Sequence, residues 1–222
     1  MYVLPPIVVA GLTGFISGLL VSVPVGPVNL TIMNEGARRG FFCAFLIGLG
    51  ATLMEVIYCT VAFTGFASLF DGRFVKAAME LFSFVFMLYL GTKFLMAKAI
   101  PSTTRIEERI EEKLHPHSAF MIGFVRVMGN PGVLLCWLIL AANFISREWV
   151  EPNNPGKFAC VAGVASGTGV WFLGLSYAAS LGHKKLSEKT LLRMEHYSGV
   201  CLLLLALIHG GHIVWQLARH KM

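Results

Sequence analysis

Pro24, Gly26 and Pro27 fall within four residues of one another, inside a long apolar run, in the stretch Ser22-Val23-Pro24-Val25-Gly26-Pro27-Val28-Asn29. No ordinary helix continues through such a stretch. Pro27 removes a backbone donor and clashes with the preceding turn, and Gly26 frees the backbone for unusual dihedrals. In hydrocarbon every backbone group opened in this way is costly unless protein or trapped water satisfies it. A break therefore survives only where it is buried or lines a cavity. The same residues also read as a helix start, with Gly26 as N-cap, Pro27 at the first helical position, and the N–H groups of Val28, Asn29 and Leu30 pointing outward. Such a terminus suits an anion. The plainer alternative is a proline kink that only helps helices pack. A second break, Gly129-Asn130-Pro131-Gly132, lies in the other half of the chain and weighs against it.

The surrounding sequence is that of an integral membrane protein. Of its 222 residues 56% are hydrophobic and 14% charged, where a soluble domain carries about 25% charge. The formal charge of +6 comes from basic residues in short loops between apolar segments, so it gives no reason to expect nucleic acid. Cys43, Cys59, Cys136, Cys160 and Cys201 are scattered singly in or beside apolar runs, without a CxxC pair, and read as buried structural thiols. Met1 to Leu4 carry no basic residue, and the run after them is too long for a signal-peptide core. It is expected to be a retained first span.

Six spans are expected: 5–33, 41–69, 74–96, 118–145, 158–181 and 197–217. They form one all-α transporter domain over 1–222, with a first half at 1–97, a cytoplasmic linker at 98–117 and a second half at 118–222. Arg38, Arg39, Lys93, Lys98, Arg105, Arg109, Lys113, Lys184, Lys185, Lys189 and Arg193 lie on one side. Arg73, Lys76, Arg147, Lys157, Arg219 and Lys221 lie on the other. The richer side is expected to be cytoplasmic and both termini outside. In the linker, Thr104 and Glu107 have capping-box spacing and Ile106, Ile110 and Leu114 form one stripe. That pattern predicts a short amphipathic helix, with Glu107, Glu108, Glu111 and Glu112 as its solvated face. Gly14 with Gly18, and Gly163 with Gly167, are small-xxx-small pairs suited to close helix approach. They are expected to pack the bundle internally, with a homodimer face left open.

The two breaks open spans one and four, the first span of each three-span half. Three is odd, so the halves have opposite orientation. Interrupted segments at matching places in inverted halves point to a transporter's binding site. Asn130 and Pro131 repeat the helix-start pattern, and both half-helices aim positive N-termini at the membrane interior. A carboxylate is the natural guest. Substrate contacts are therefore expected from Gly26, Pro27, Asn29, Arg126, Asn130 and Pro131.

Charged residues within spans default to function. Glu55 shares a face with Gly48, Ala51, Thr52, Cys59 and Ala62, and should point into the bundle; the alternative is a glutamate bonded purely for packing. Arg126 shares a face with Gly123, Asn130 and Trp137; its alternative role is snorkelling to the inner headgroups. Depth argues against pairing the two, since Glu55 lies roughly 21 Å from the inner edge and Arg126 about 10 Å. Arg126 is expected beside the first break. Glu55, deeper, is the expected proton-coupling residue: sequestered it is held neutral, and exposed to water it ionises. His209 and His212 have the spacing of two metal ligands, short of the three or four a site wants.

Pro24-Val25-Gly26-Pro27-Val28-Asn29 resembles the P-x-G-P-x-N signature of the LysE amino-acid exporters, within the LysE/RhtB translocator superfamily. Gly36-Ala37-Arg38-Arg39-Gly40 is similar to that superfamily's G-x-R-R-G turn, Glu55 stands near its intramembrane acid, and Asn130-Pro131 resembles the Asn-Pro of its fourth span. The resemblance covers essentially the whole chain. It implies efflux of amino acids or similar small solutes across the bacterial inner membrane in exchange for protons. Val28 in place of Gln, and Glu55 in place of Asp, depart from the pattern of the basic-amino-acid exporters. The expected protein is a secondary exporter without enzyme activity or cofactor, and no P-loop is present to bind nucleotide. Its partners are a small-molecule substrate and membrane lipid. The rivals are heavy-metal efflux through Glu55, His209 and His212, an intramembrane enzyme built on Ser166, and a structural membrane subunit.

Overall fold

The computed structural model describes residues 4–24, 26–65, 73–98 and 118–181, and beyond these 192–193, 196–197, 199–200, 203–204, 206–208 and 210–211. The helices are α1 (Pro6–Ser22), α2 (Pro27–Arg39), α3 (Phe41–Gly65), α4 (Arg73–Leu95), α5 (Ala119–Met128), α6 (Pro131–Ser146) and α7 (Asn154–Ser180). No strand occurs among the described residues. The amphipathic linker helix, the histidine pair His209 and His212, and Cys201 lie outside the described residues.

Both predicted breaks are present. α1 and α2 meet at 74°, and α5 and α6 at 66°. By length and composition α3 and α7 can each cross a membrane, and the two bent pairs bring the candidates to four. The described helical residues of 192–211 pack on α4, where Cβ atoms on Gly91 and Gly199 would meet each other's segment. Large apolar side chains such as Ile7, Ile16, Leu53, Val61, Phe158 and Val170 face outward. Asn29, Thr52, Glu55, Asn143 and Thr168 are buried. An apolar exterior over a partly polar interior is the pattern of a protein solvated by lipid.

Two boundaries differ from expectation. Span one continues past Met33 to Arg39, so Gly36 to Arg39 form the last turn of α2. The chain turns only at Gly40, whose φ of 85° favours glycine. Span five starts at Asn154, because the Asn153 side chain caps the helix by accepting from Gly156 N at 2.8 Å.

The glycine pairs do pack the bundle internally, and they pack on each other. A Cβ on Gly18 would sit 2.7 Å from the Val164 carbonyl, and Cβ atoms on Gly14, Gly163 and Gly167 would collide with the Cys160, Gly11 and Phe15 carbonyls. α1 and α7 therefore run parallel in backbone contact. The same device joins α3 to α5, where Gly50 faces Phe120 and Gly123 faces Ile47. The first half-helix of each broken pair thus lies against an unbroken helix from the other end of the chain. α2 is wedged against α3 and α7, and α6 against α3 and α4.

Candidate functional site

At the first break, Gly26 is the N-cap of α2 and Pro27 its first residue, as the sequence predicts. Gly26 has extended backbone (φ −111°, ψ −175°), contributes no side-chain cap, and a Cβ placed on it would meet nothing within 4 Å. The glycine is therefore required neither by its dihedrals nor by a close neighbour. Beside it lies open space.

Asn29 closes the opposite side of the break. Its Nδ2 donates to the Ser22 carbonyl at 2.9 Å and the Pro24 carbonyl at 2.8 Å, acceptors left over where α1 ends. Its Oδ1 accepts from the Trp171 indole of α7 at 3.3 Å. Asn29 is buried. Its amide is committed to the break itself.

Arg126 comes to the same place. Its Nη1 donates to the Pro27 carbonyl at 3.4 Å, from the last turn of α5. Arg126 as a whole is half-buried. It brings a fixed positive charge to the first turn of α2, whose own N-terminus is electropositive.

The second break is built differently. Asn130 caps α6 through its own side chain, which accepts from Gly132 N at 3.0 Å, with Pro131 at the first helical position. The Tyr58 hydroxyl of α3 donates to the Met128 carbonyl at 2.7 Å. The face drawn through Gly123, Arg126, Asn130 and Trp137 does not survive the 66° bend. Arg126 goes to the first break, while Trp137 turns to α3.

Glu55 points into the bundle. Its Oε2 accepts from Trp137 Nε1 at 2.8 Å, and both side chains are buried. Cys59 lies one turn further along α3, against Cys160 of α7. Cys59 and Cys160 are core residues, and Cys43 and Cys136 are half-buried. Ser166 faces outward, and its hydroxyl bonds to the Ala162 carbonyl of its own helix. Among the described residues no group of three His, Cys, Asp or Glu side chains is placed to hold a metal.

Sequence reasoning missed Trp171 and Tyr58. A signal existed for the first: a Trp in mid-span, away from the interfacial belts, must bury an N–H that needs an acceptor.

Broken helices with an arginine at one break, a carboxyl tied beside the other, and an apolar exterior together define a multi-pass membrane protein of transporter type. The chain belongs to the LysE type translocator family, which it matches over residues 19–209. It is 28% identical over 206 residues, 93% of this chain and 97% of the relative, to the "Putative amino acid efflux protein YcgF" of Bacillus subtilis (strain 168). It is 27% identical over 170 residues, 75% of this chain and 76% of the relative, to "Arginine exporter protein ArgO" of Shigella flexneri, and equally to that of Escherichia coli O157:H7. No solved structure matches the chain.

Proposed function

We propose that the protein is a secondary exporter of an amino acid or related zwitterion across the bacterial inner membrane, driven by proton exchange. Six spans form two inverted three-helix halves, and the crosswise packing of α1 on α7 and α5 on α3 supports that arrangement. The observation that carries the assignment is the convergence of Arg126 on the uncapped start of α2, beside the open space at Gly26. A substrate carboxylate binds there, taking the first-turn N–H groups of α2 and the guanidinium together. Pro27 fixes the start of that turn, and Asn29 keeps the break from collapsing. Asn130 and Pro131 start the opposing half-helix and line the other side of the path. Glu55 carries the proton, sequestered in one state of the cycle and open to water in the other. Family membership and the names of the relatives support amino-acid efflux as the activity.

The test is reconstitution in proteoliposomes with labelled arginine, lysine, leucine, threonine and cadmium ion, assayed with and without a pH gradient. At least one amino acid should leave the vesicles faster with the gradient than without it. Glu55→Gln should keep substrate exchange at zero gradient while losing export driven by pH. Unchanged pH-driven export in Glu55→Gln would remove Glu55 from the mechanism. Movement of cadmium and of no amino acid would overturn the substrate class.

A further inference from the structure

One face of α3 grips span four on both sides of its bend. Tyr58 donates to the carbonyl of Met128, the last residue of α5. Three residues earlier on α3, Glu55 accepts from Trp137, in the second turn of α6. These two hydrogen bonds straddle the 66° angle between α5 and α6. They differ in what they can sense. Tyr58 holds a backbone carbonyl, an acceptor that does not titrate. Trp137 holds a carboxyl, which does.

The indole nitrogen can only donate. Whatever the protonation state of Glu55, Trp137 must find an oxygen lone pair there or lose its partner. A carboxylate accepts a shorter and stronger bond than a carboxylic acid does. The hold on α6 therefore varies with the proton on Glu55, whereas the hold on α5 does not. α5 is also joined to α3 through the backbone contacts of Gly50 and Gly123, so of the two half-helices α6 is the one whose side-chain tie to this face of α3 depends on a titratable group.

The other titratable groups around this carboxyl are few among the described residues. Cys59 of α3 and Cys136 of α6 are within electrostatic reach of Glu55, Cys160 of α7 abuts Cys59, and Tyr58 lies on the same helix. The cation of α5, Arg126, reaches the Pro27 carbonyl. On α2 the acid is Glu35, beside Cys43 near the start of α3, about 18 Å along that helix from Glu55.

We infer that Trp137 is a positioning residue that couples protonation of Glu55 to the bend of span four, with Tyr58 as the fixed pivot. The inference rests on the proposed role of Glu55 as the proton carrier.

Hydrogen–deuterium exchange of the full-length protein in lipid nanodiscs, followed against pH, tests it without a known substrate. Protection of the amides of residues 129–137, corrected for intrinsic exchange, should change with pH by about tenfold or more in the wild type. That dependence should vanish in Glu55→Gln and in Trp137→Phe. Tyr58→Phe should lower protection at the bend at every pH and keep the dependence. Residues 26–31 at the other break are the internal reference and should not respond to any of the three changes. A Trp137→Phe protein with the wild-type pH dependence at 129–137 would overturn the inference. So would a wild type with no such dependence. If Glu55→Gln still exports on a pH gradient while Trp137→Phe loses the dependence at the bend, the coupling stands and the export mechanism falls.

Discussion

The two breaks share a sequence pattern and differ in how their backbone groups are satisfied. At the second, the N-cap has a side chain, and Asn130 closes the first turn of α6 on itself. At the first, the N-cap is Gly26 and nothing caps α2 from within. The loose acceptors of α1 are closed instead by Asn29 from beyond the break, held in turn by Trp171. A polar group left unsatisfied in hydrocarbon is expensive. Leu30 N already donates to the Gly26 carbonyl at 3.1 Å, so a guest in the proposed site would meet the N–H groups of Val28 and Asn29, which no side chain caps. Arg126 is delivered to the same turn, where its Nη1 reaches the Pro27 carbonyl. On the proposed function the first break is the seat of the substrate carboxylate, while the second, capped by Asn130 and held by Tyr58 from α3, is a hinge.

The contrast can be broken most strongly at Asn29. Asn29→Ala strands the Ser22 and Pro24 carbonyls, each costing about 1–3 kcal/mol. Thermal unfolding in detergent should show a large loss of stability, and export should fail with it. A variant as stable as the wild type would mean that the break is satisfied by other groups. Asn130→Ala removes only a cap, worth about 1 kcal/mol, so it should unfold at slightly lower temperature and still export at a reduced rate. Losses equal to those of Asn29→Ala would erase the distinction between hinge and seat. Gly26→Leu should have the smallest effect on stability, within about 0.5 kcal/mol, because its dihedrals suit any residue and its Cβ enters open space. It should nonetheless abolish export by filling the seat. Export at the wild-type rate would show that the space beside Gly26 holds no substrate.

Much of this was legible locally. Proline and glycine placed both breaks and both helix starts to the residue, because their constraints act on the backbone itself. The small-residue face of α3 was enough to turn Glu55 inward, and depth along the helix was enough to send Arg126 to the first break. The pairs that distinguish the two breaks were not legible. Trp171 with Asn29 and Tyr58 with Met128 are 142 and 70 residues apart in the chain. They depend on which helices lie side by side, and no periodicity reports that. The partner of Glu55 was hidden for another reason. Trp137 was placed on the face of Arg126 by counting straight through a helix that bends by 66°.

The measurement that bears most directly on the seat is competition for exchange in proteoliposomes between the exported amino acid and the amine left when its carboxylate is removed. The two differ only in the group that α2 and Arg126 are proposed to hold. A hydrogen bond to a charged group is worth about 1.5–3 kcal/mol, so the amine should compete at least 10-fold more weakly, with about 1.4 kcal/mol per factor of ten. In Arg126→Gln the amino acid should weaken toward the amine while the amine stays where it was. Equal competition by amine and amino acid in the wild type would contradict the account.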